Sequence, residues 1–251
     1  MQIRHKRWHG RARVIALNKK LFNKRFITLA SVLLCIASLV GLQYASALGS
    51  GYTWEADSSE STIWRSVASS TDGSQLAAVS SLGNDYIYTS TDGGESWEGR
   101  GDAGARDWAI IVSSADGMTL AAIAWSSDYV YTSTDGGDTW TEQPASAGQK
   151  WQHIAISADG QRLVALAGQN YDQDLAGPGG VFTSTDGGVT WQSHPEISNI
   201  STGHVSASAN GMRLIVSVAG VWDDETSSQD DSLWMSSDGG DTWSEISNRL
   251  G

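Results

Sequence analysis

The sequence predicts an all-β protein: a β-propeller of four blades, each of four antiparallel strands, preceded by an N-terminal signal or anchor helix. Three observations carry this reading. An octet ending in tryptophan recurs four times, closing at Trp97, Trp140, Trp191 and Trp243, with spacings of 43, 51 and 52 residues. Each octet lies inside a longer repeat of four short β-rich runs separated by glycine-containing turns. Beyond residue 47 no segment keeps a helical period, and 28 glycines in 251 residues are too many for a helical bundle.

The chain begins with a basic stretch, Arg4 to Arg25, followed by an uncharged run over 26–42 and then Ala45-Ser46-Ala47. This layout is expected to be a secretory signal occupying 1–47. The rival expectation is an uncleaved anchor, because a run of about 17 residues is at the lower limit for spanning a bilayer core. Either way the domain of 48–251 is expected outside the cytoplasm: secreted, periplasmic or lumenal, or membrane-anchored. Residues 1–47 hold nine Lys/Arg and no acid, which leaves 48–251 with seven Lys/Arg against 28 Asp/Glu, a net of −21. So acidic a domain repels phosphate backbones, and nucleic acid is not expected as a partner. Cys35, the one cysteine, lies in the apolar run, so the domain has no disulfide, thiol nucleophile or Cys-ligated zinc.

The repeats divide the domain at about 54–96, 97–139, 140–190 and 191–243. Their first two runs are WRSVASSTDGSQLAAV from Trp64, WAIIVSSADGMTLAAI from Trp108, WQHIAISADGQRLVAL from Trp151 and HVSASANGMRLIVS from His204, which replaces the tryptophan. Asp-Gly or Asn-Gly in the middle of each supplies a tight hairpin turn. A third run precedes each octet (YIYTS, YVYTS, VFTS, LWMSS) and a fourth follows it (SWEG, TWTE, TWQS, TWSE). The blades are thus expected near 64–100, 108–143, 151–194 and 204–247. Gly51-Tyr52-Thr53-Trp54 reads as the tail of a fifth octet. Residues 52–56 are expected to latch onto blade 4; the alternative is an open edge that pairs with a second molecule. The protein is therefore expected as a monomer or an edge-paired oligomer.

The octets read STDGGESW, STDGGDTW, STDGGVTW and SSDGGDTW. This pattern, S-x-D-x-G-x-(S/T)-W, resembles the Asp-box or BNR repeat. About residues 52–248 resemble the Asp-box β-propellers, a group that includes sialidases, xyloglucan-type glycosidases, sortilin-type receptors and photosystem II assembly factors. The fixed positions are Ser90, Asp92, Gly94 and Trp97; Ser133, Asp135, Gly137 and Trp140; Ser184, Asp186, Gly188 and Trp191; Ser236, Asp238, Gly240 and Trp243. Their expected role is structural: the aspartate accepts hydrogen bonds from loop N–H groups, the serine ties the arms, and the tryptophan packs under the turn. The resemblance implies the same, with Asp-boxes on the outer rim away from the active face.

A ligand is expected on the opposite face, where the loops between second and third strands lie. Those of copies 3 and 4 are long, 168–180 and 220–232, and carry Asp172, Asp174, Trp222, Asp223 and Asp224. No cofactor is expected, although such acids could hold Ca²⁺ or furnish an acid/base pair for glycoside hydrolysis. The bland reading is a solvated acidic surface. Sialidase chemistry, as the resemblance implies it, needs three arginines, an Arg-Ile-Pro motif and a Tyr–Glu pair. No Arg-Ile-Pro occurs, and only Arg65, after a first-strand tryptophan, is well placed to face a central channel. His204 reads as a packed substitute for the missing tryptophan. No catalytic residue is assigned. The expected function is a non-enzymatic, extracytoplasmic propeller that binds or scaffolds a protein or glycan. The alternative is a glycan-acting hydrolase of sialidase or glycosidase type using the long-loop carboxylates.

Overall fold

The computed structural model describes residues 63–80, 85–125, 127–168, 179–198, 200–220, 222–223, 228–229 and 231–246. The N-terminal signal or anchor helix, the segment 52–56, and Asp172, Asp174 and Asp224 lie outside these residues.

Every described regular element longer than one turn is a strand. Blade 1 is β1 (Trp64–Ser69), β2 (Leu76–Ser80), β3 (Ile87–Ser90) and β4 (Glu98–Arg100). Blade 2 is β5 (Trp108–Ser113), β6 (Leu120–Ala124), β7 (Val130–Ser133) and β8 (Thr141–Gln143). Blade 3 is β9 (Lys150–Ile156), β10 (Leu163–Gly168), β11 (Gly180–Ser184) and β12 (Gln192–His194). Blade 4 begins with β13 (Ile200–Ala207) and β14 (Leu214–Gly220), inserts a small hairpin of β15 (Trp222–Asp223) and β16 (Ser228–Gln229), and ends with β17 (Ser232–Ser236) and β18 (Ser244–Glu245). Each blade is a meander of four antiparallel strands in chain order, the architecture of a β-propeller.

Alternation explains how the blades stack. Strands buried on both faces read as continuous apolar runs, as in LAAIA of β6 and LVALAG of β10, where every residue is buried. One face of each packs on the blade before and the other on the blade after. Ala77, Val79 and Ile87 of blade 1 meet Trp108, Ile111 and Leu120 of blade 2. Ala121, Ile123 and Val130 of blade 2 meet Trp151, Ile154 and Leu163 of blade 3. Val164, Leu166 and Val181 of blade 3 meet Val205, Leu214 and Val216 of blade 4. At each first-strand tryptophan the ring stands edge-on to an aromatic of the third strand: Trp64 to Tyr88 at 5.4 Å, Trp108 to Tyr131 at 5.1 Å, Trp151 to Phe182 at 5.2 Å.

The turns between first and second strands are also linked blade to blade. Thr71 N–H donates to Ala115 O, Ala115 N–H to Ala158 O and Ala158 N–H to Ala209 O, at 2.7–2.8 Å. The run stops there: among the described residues, no bond joins Ala209 N–H to Thr71 O. Strands β1, β5, β9 and β13 pack in succession, but no strand of blade 4 packs comparably on blade 1. The described blades form an arc that is open between blade 4 and blade 1.

The ladder corrects one alignment. Counting back from Asn210 and Asp159, Thr202 and not His204 holds the place of Trp151, and His204 corresponds to His153. The fourth sheet accordingly starts at Ile200, ahead of His204. Nor is His204 a packed substitute for tryptophan; it is exposed, with its ring 4.9 Å from that of His153.

Candidate functional site

The four Asp-boxes share one geometry. In the second, Ser133 Oγ donates to Asp135 Oδ1 at 2.7 Å and accepts from Gly137 N–H at 2.9 Å. Thr139 gives its N–H to Asp135 Oδ1 at 2.9 Å and its hydroxyl to Oδ2 at 2.6 Å. Around Asp92, Asp186 and Asp238 the same bonds recur within 0.1 Å. Both oxygens of each carboxylate are therefore engaged inside its own turn. Trp140 and Trp191 close their boxes by donating Nε1–H to Gly137 O and Gly188 O, at 3.0 and 2.8 Å. Each box is also bound to its blade's first turn, as when Gly136 N–H donates to Met118 O at 2.9 Å.

These donors favour the ionised carboxylate. The Ser96 hydroxyl and N–H and the Ser90 hydroxyl hold Asp92 down to about 2, from an ordinary 3.8; the Thr242 and Ser236 groups do the same for Asp238. Two histidines are also depressed. Burial, then the neighbouring charge of His204, lowers His153; burial lowers His194 despite Glu196. A depressed carboxylate stabilises the fold above its unfolded value and loses that contribution as pH falls through the folded one. A depressed histidine binds its proton less readily when folded, so stability falls once pH drops below 6.5. The melting temperature is therefore expected to decline from pH 7 to 5 and collapse between about pH 4 and 2. A thermal scan by circular dichroism checks this; a melting temperature that rises on acidification from pH 7 to 5 contradicts it.

The other face of the arc holds the site. The first strands of all four blades line a cavity of about 820 Å³. Three of those strands carry a bulge in the same place. Trp64 pairs with Ser80 and Ser66 with Val79; Trp108 pairs with Ala124 and Ile110 with Ile123; Trp151 pairs with Ala167 and His153 with Leu166. The residue between each couple, Arg65, Ala109 or Gln152, is left out of the ladder and lines the cavity. In blade 4 the bulge moves outward to Ser201. Gln152 Nε2–H donates to Ser201 O at 2.8 Å and so spans blades 3 and 4. The Arg65 guanidinium lies over the Trp125 ring at 4.0 Å. Lys150 Nζ is 3.7 Å from Asp128.

The charge on this wall is the reverse of the domain's. Its charged side chains are Arg65 and Lys150, joined by His153 and His204, and among the described residues it contains no Asp or Glu. Two buried acceptor-capable atoms of the wall, Gln152 Oε1 and His153 Nδ1, have no hydrogen-bond partner among the described residues. With its plane covered by Trp125, the Arg65 fork keeps its N–H edges for a planar anion.

Of the residues expected on the ligand face, Trp222 and Asp223 form β15, paired with Gln229 and Ser228. Asp172, Asp174 and Asp224 lie outside the described residues. No group of three or more His, Cys, Asp or Glu that could hold a metal occurs among the described residues. Arg65 does face the central space, as its position after Trp64 predicts. Trp125, Lys150, Gln152 and His153 were not legible as wall residues. The available signal was positional: the residue after each first-strand tryptophan, and the residue that ends the apolar run of each second strand.

The BNR/Asp-box repeat family model matches residues 88–98 and 182–193. In fold the chain is similar to the GH74 enzyme of Niastella koreensis, at 22% identity and a TM-score of 0.57, over 72% of this chain and 29% of that one. It is also similar to the GH74 xyloglucanase from Xanthomonas campestris, at 19% identity and a TM-score of 0.53, again over 72% and 29%. A chain of the nidogen/laminin complex aligns at 12% identity and a TM-score of 0.53, over 74% of this chain and 65% of that one. The chain thus spans about 29% of the length of the GH74 structures. At these identities the likeness is one of fold, a propeller carrying Asp-box repeats. No curated protein is similar to the chain in sequence.

Proposed function

We propose that the protein is an extracytoplasmic, non-enzymatic binding or scaffold propeller whose inner groove takes an anionic group carried by a protein or glycan. The cationic residues Arg65 and Lys150 on a wall whose described lining holds no acid, although Asp128 beside it pairs with Lys150, in a domain of net −21, carry this reading. An anion approaching such a domain is repelled everywhere except at a local cationic site, so the groove selects for a ligand that places its charge there. The same wall speaks against glycoside hydrolysis in the groove, which needs two carboxylates flanking the scissile bond. Protein binding is supported coarsely by the fold: one similar structure is that of a protein–protein complex.

The test is titration calorimetry with two probes, polygalacturonate oligomers and an acidic peptide, each against a neutral counterpart. Binding of an acidic probe is expected, and Arg65→Ala with Lys150→Ala should weaken it at least about 10-fold, or about 1.4 kcal/mol, without changing the melting temperature. Equal affinity for wild type and the double variant removes the groove as the site. Turnover of either glycan removes the non-enzymatic reading.

A further inference from the structure

Large apolar side chains gather at the two ends of the arc. Trp64 is 49% exposed and Val67 72%, while their counterparts in blade 2, Trp108 and Ile111, are 0% and 1%. Trp97 is exposed too, and Leu76 and Tyr88 are half-buried, where Leu120 and Tyr131 are buried. This leading face of blade 1 is the face on which, in blades 2, 3 and 4, the preceding blade packs. At the other end, Ile215 and Met235 are exposed on the trailing face of blade 4, beside Leu233 and Ile246.

The trailing faces inside the arc share a polar detail. Thr89, Thr132 and Thr183 accept from or pair with Arg100 Nε, Gln143 Nε2 and His194 Nε2, at 2.7, 2.6 and 2.8 Å. The methyl of each threonine lies against the second glycine of the next blade's Asp-box, Gly137, Gly188 or Gly240. In blade 4 both polar positions are apolar: Met235 stands for the threonine and Ile246 for its partner. Terminal repeats that face water are polar on the outside. Here the last blade carries apolar groups at two positions where the internal blades are polar.

We propose that these two faces meet between two copies of the chain, the trailing face of blade 4 of each docking on the leading face of blade 1 of the other, so that two four-bladed arcs close one eight-bladed ring. The backbone offers matching ends. Ala209 N–H of one copy continues the turn-to-turn hydrogen-bond run to Thr71 O of the next, as Ala158 N–H does to Ala209 O within a copy. Met235 comes to lie against Gly94, where the nearest described neighbours of an added Cβ are Leu76 and Trp97 of its own blade, while at Gly137, Gly188 and Gly240 the nearest is a threonine of the preceding blade. A single strand is too narrow to cover the leading face, since each internal contact draws residues from three strands of each blade. A head-to-tail contact that closes after two copies leaves no free face and has two-fold symmetry. The ring also completes the central channel, placing Arg65 and Trp125 in it twice. This inference stands independently of the ligand.

The test is covalent capture of the full-length chain, purified as its host processes it, in a Cys35→Ser background. His153 and His204 face each other across neighbouring blades, and Ser66 holds the corresponding place in blade 1. Ser66→Cys combined with His204→Cys, treated with a short bis-maleimide, is expected to yield a covalent species of twice the chain mass. An internally cross-linked monomer would mean that the arc closes on itself, a ladder of larger species would mean an open fibre, and absence of cross-linking would mean that the faces do not meet. Each overturns the proposal. Sedimentation should independently show a dimer that Val67→Asp converts to monomer with an unchanged β-sheet spectrum; a dimer that survives Val67→Asp also overturns it.

Discussion

Replacing Trp108 with alanine is expected to destabilise the domain by about 3–5 kcal/mol, whereas Trp64→Ala in dilute monomer is expected to cost about 1 kcal/mol. The two tryptophans hold the same place in successive repeats, and each meets a third-strand tyrosine edge-on. What differs is the blade in front. Trp108 is sealed between blades 1 and 2 with Ala77, Val79 and Ile87 against it, while Trp64 is half open to solvent. Trp108 Nε1 has no acceptor among the described residues, so its contribution is packing alone. Urea denaturation of both variants checks this. Equal losses would contradict the open arc, because they would require a blade packed on Trp64.

Gly137→Ala is expected to cost about 2–4 kcal/mol, and Gly94→Ala about half as much. Both glycines have a positive φ, +95° and +96°, so a side chain strains the backbone equally at each. The contacts differ. A methyl on Gly137 would come within 2.8 Å of Thr89 Cγ2 in the preceding blade, while one on Gly94 would meet only Leu76 Cδ1 of its own blade, at 3.3 Å, and the Trp97 ring. The difference measures how tightly an Asp-box is clamped by its neighbour. Identical losses for the two variants at low protein concentration would show that strain alone sets the cost.

The octets made the number of blades and their strand order legible, because each box marks one hairpin and the apolar runs between boxes count the remaining strands. Trp108 and Trp151 could be placed at the start of their blades' first strands from the repeat alone. Trp64 could not be told apart from them, since exposure depends on whether a blade precedes it and not on the local sequence. The misplacement of His204 has a simple cause: an aromatic-like residue near the expected position outweighed the count from the Asn210 turn, which puts Thr202 there. The groove was the least legible part. A bulge re-aims Arg65 and Gln152 without altering the alternation of the residues around them, and the pairing of Arg65 with Trp125 joins positions sixty residues apart. The acids of the long loops are dense in sequence, whereas the cations of the wall, Arg65 and Lys150, come from separate blades far apart in the chain.

The most direct test of the groove as the binding site is hydrogen–deuterium exchange of the protein with and without a bound acidic probe. Protection is predicted in the peptides covering 64–67, 124–128, 150–154 and 202–204, which come from four blades and share only the central cavity. Protection confined to the Asp-box turns at 90–97, 133–140, 184–191 and 236–243, on the opposite face, would contradict it.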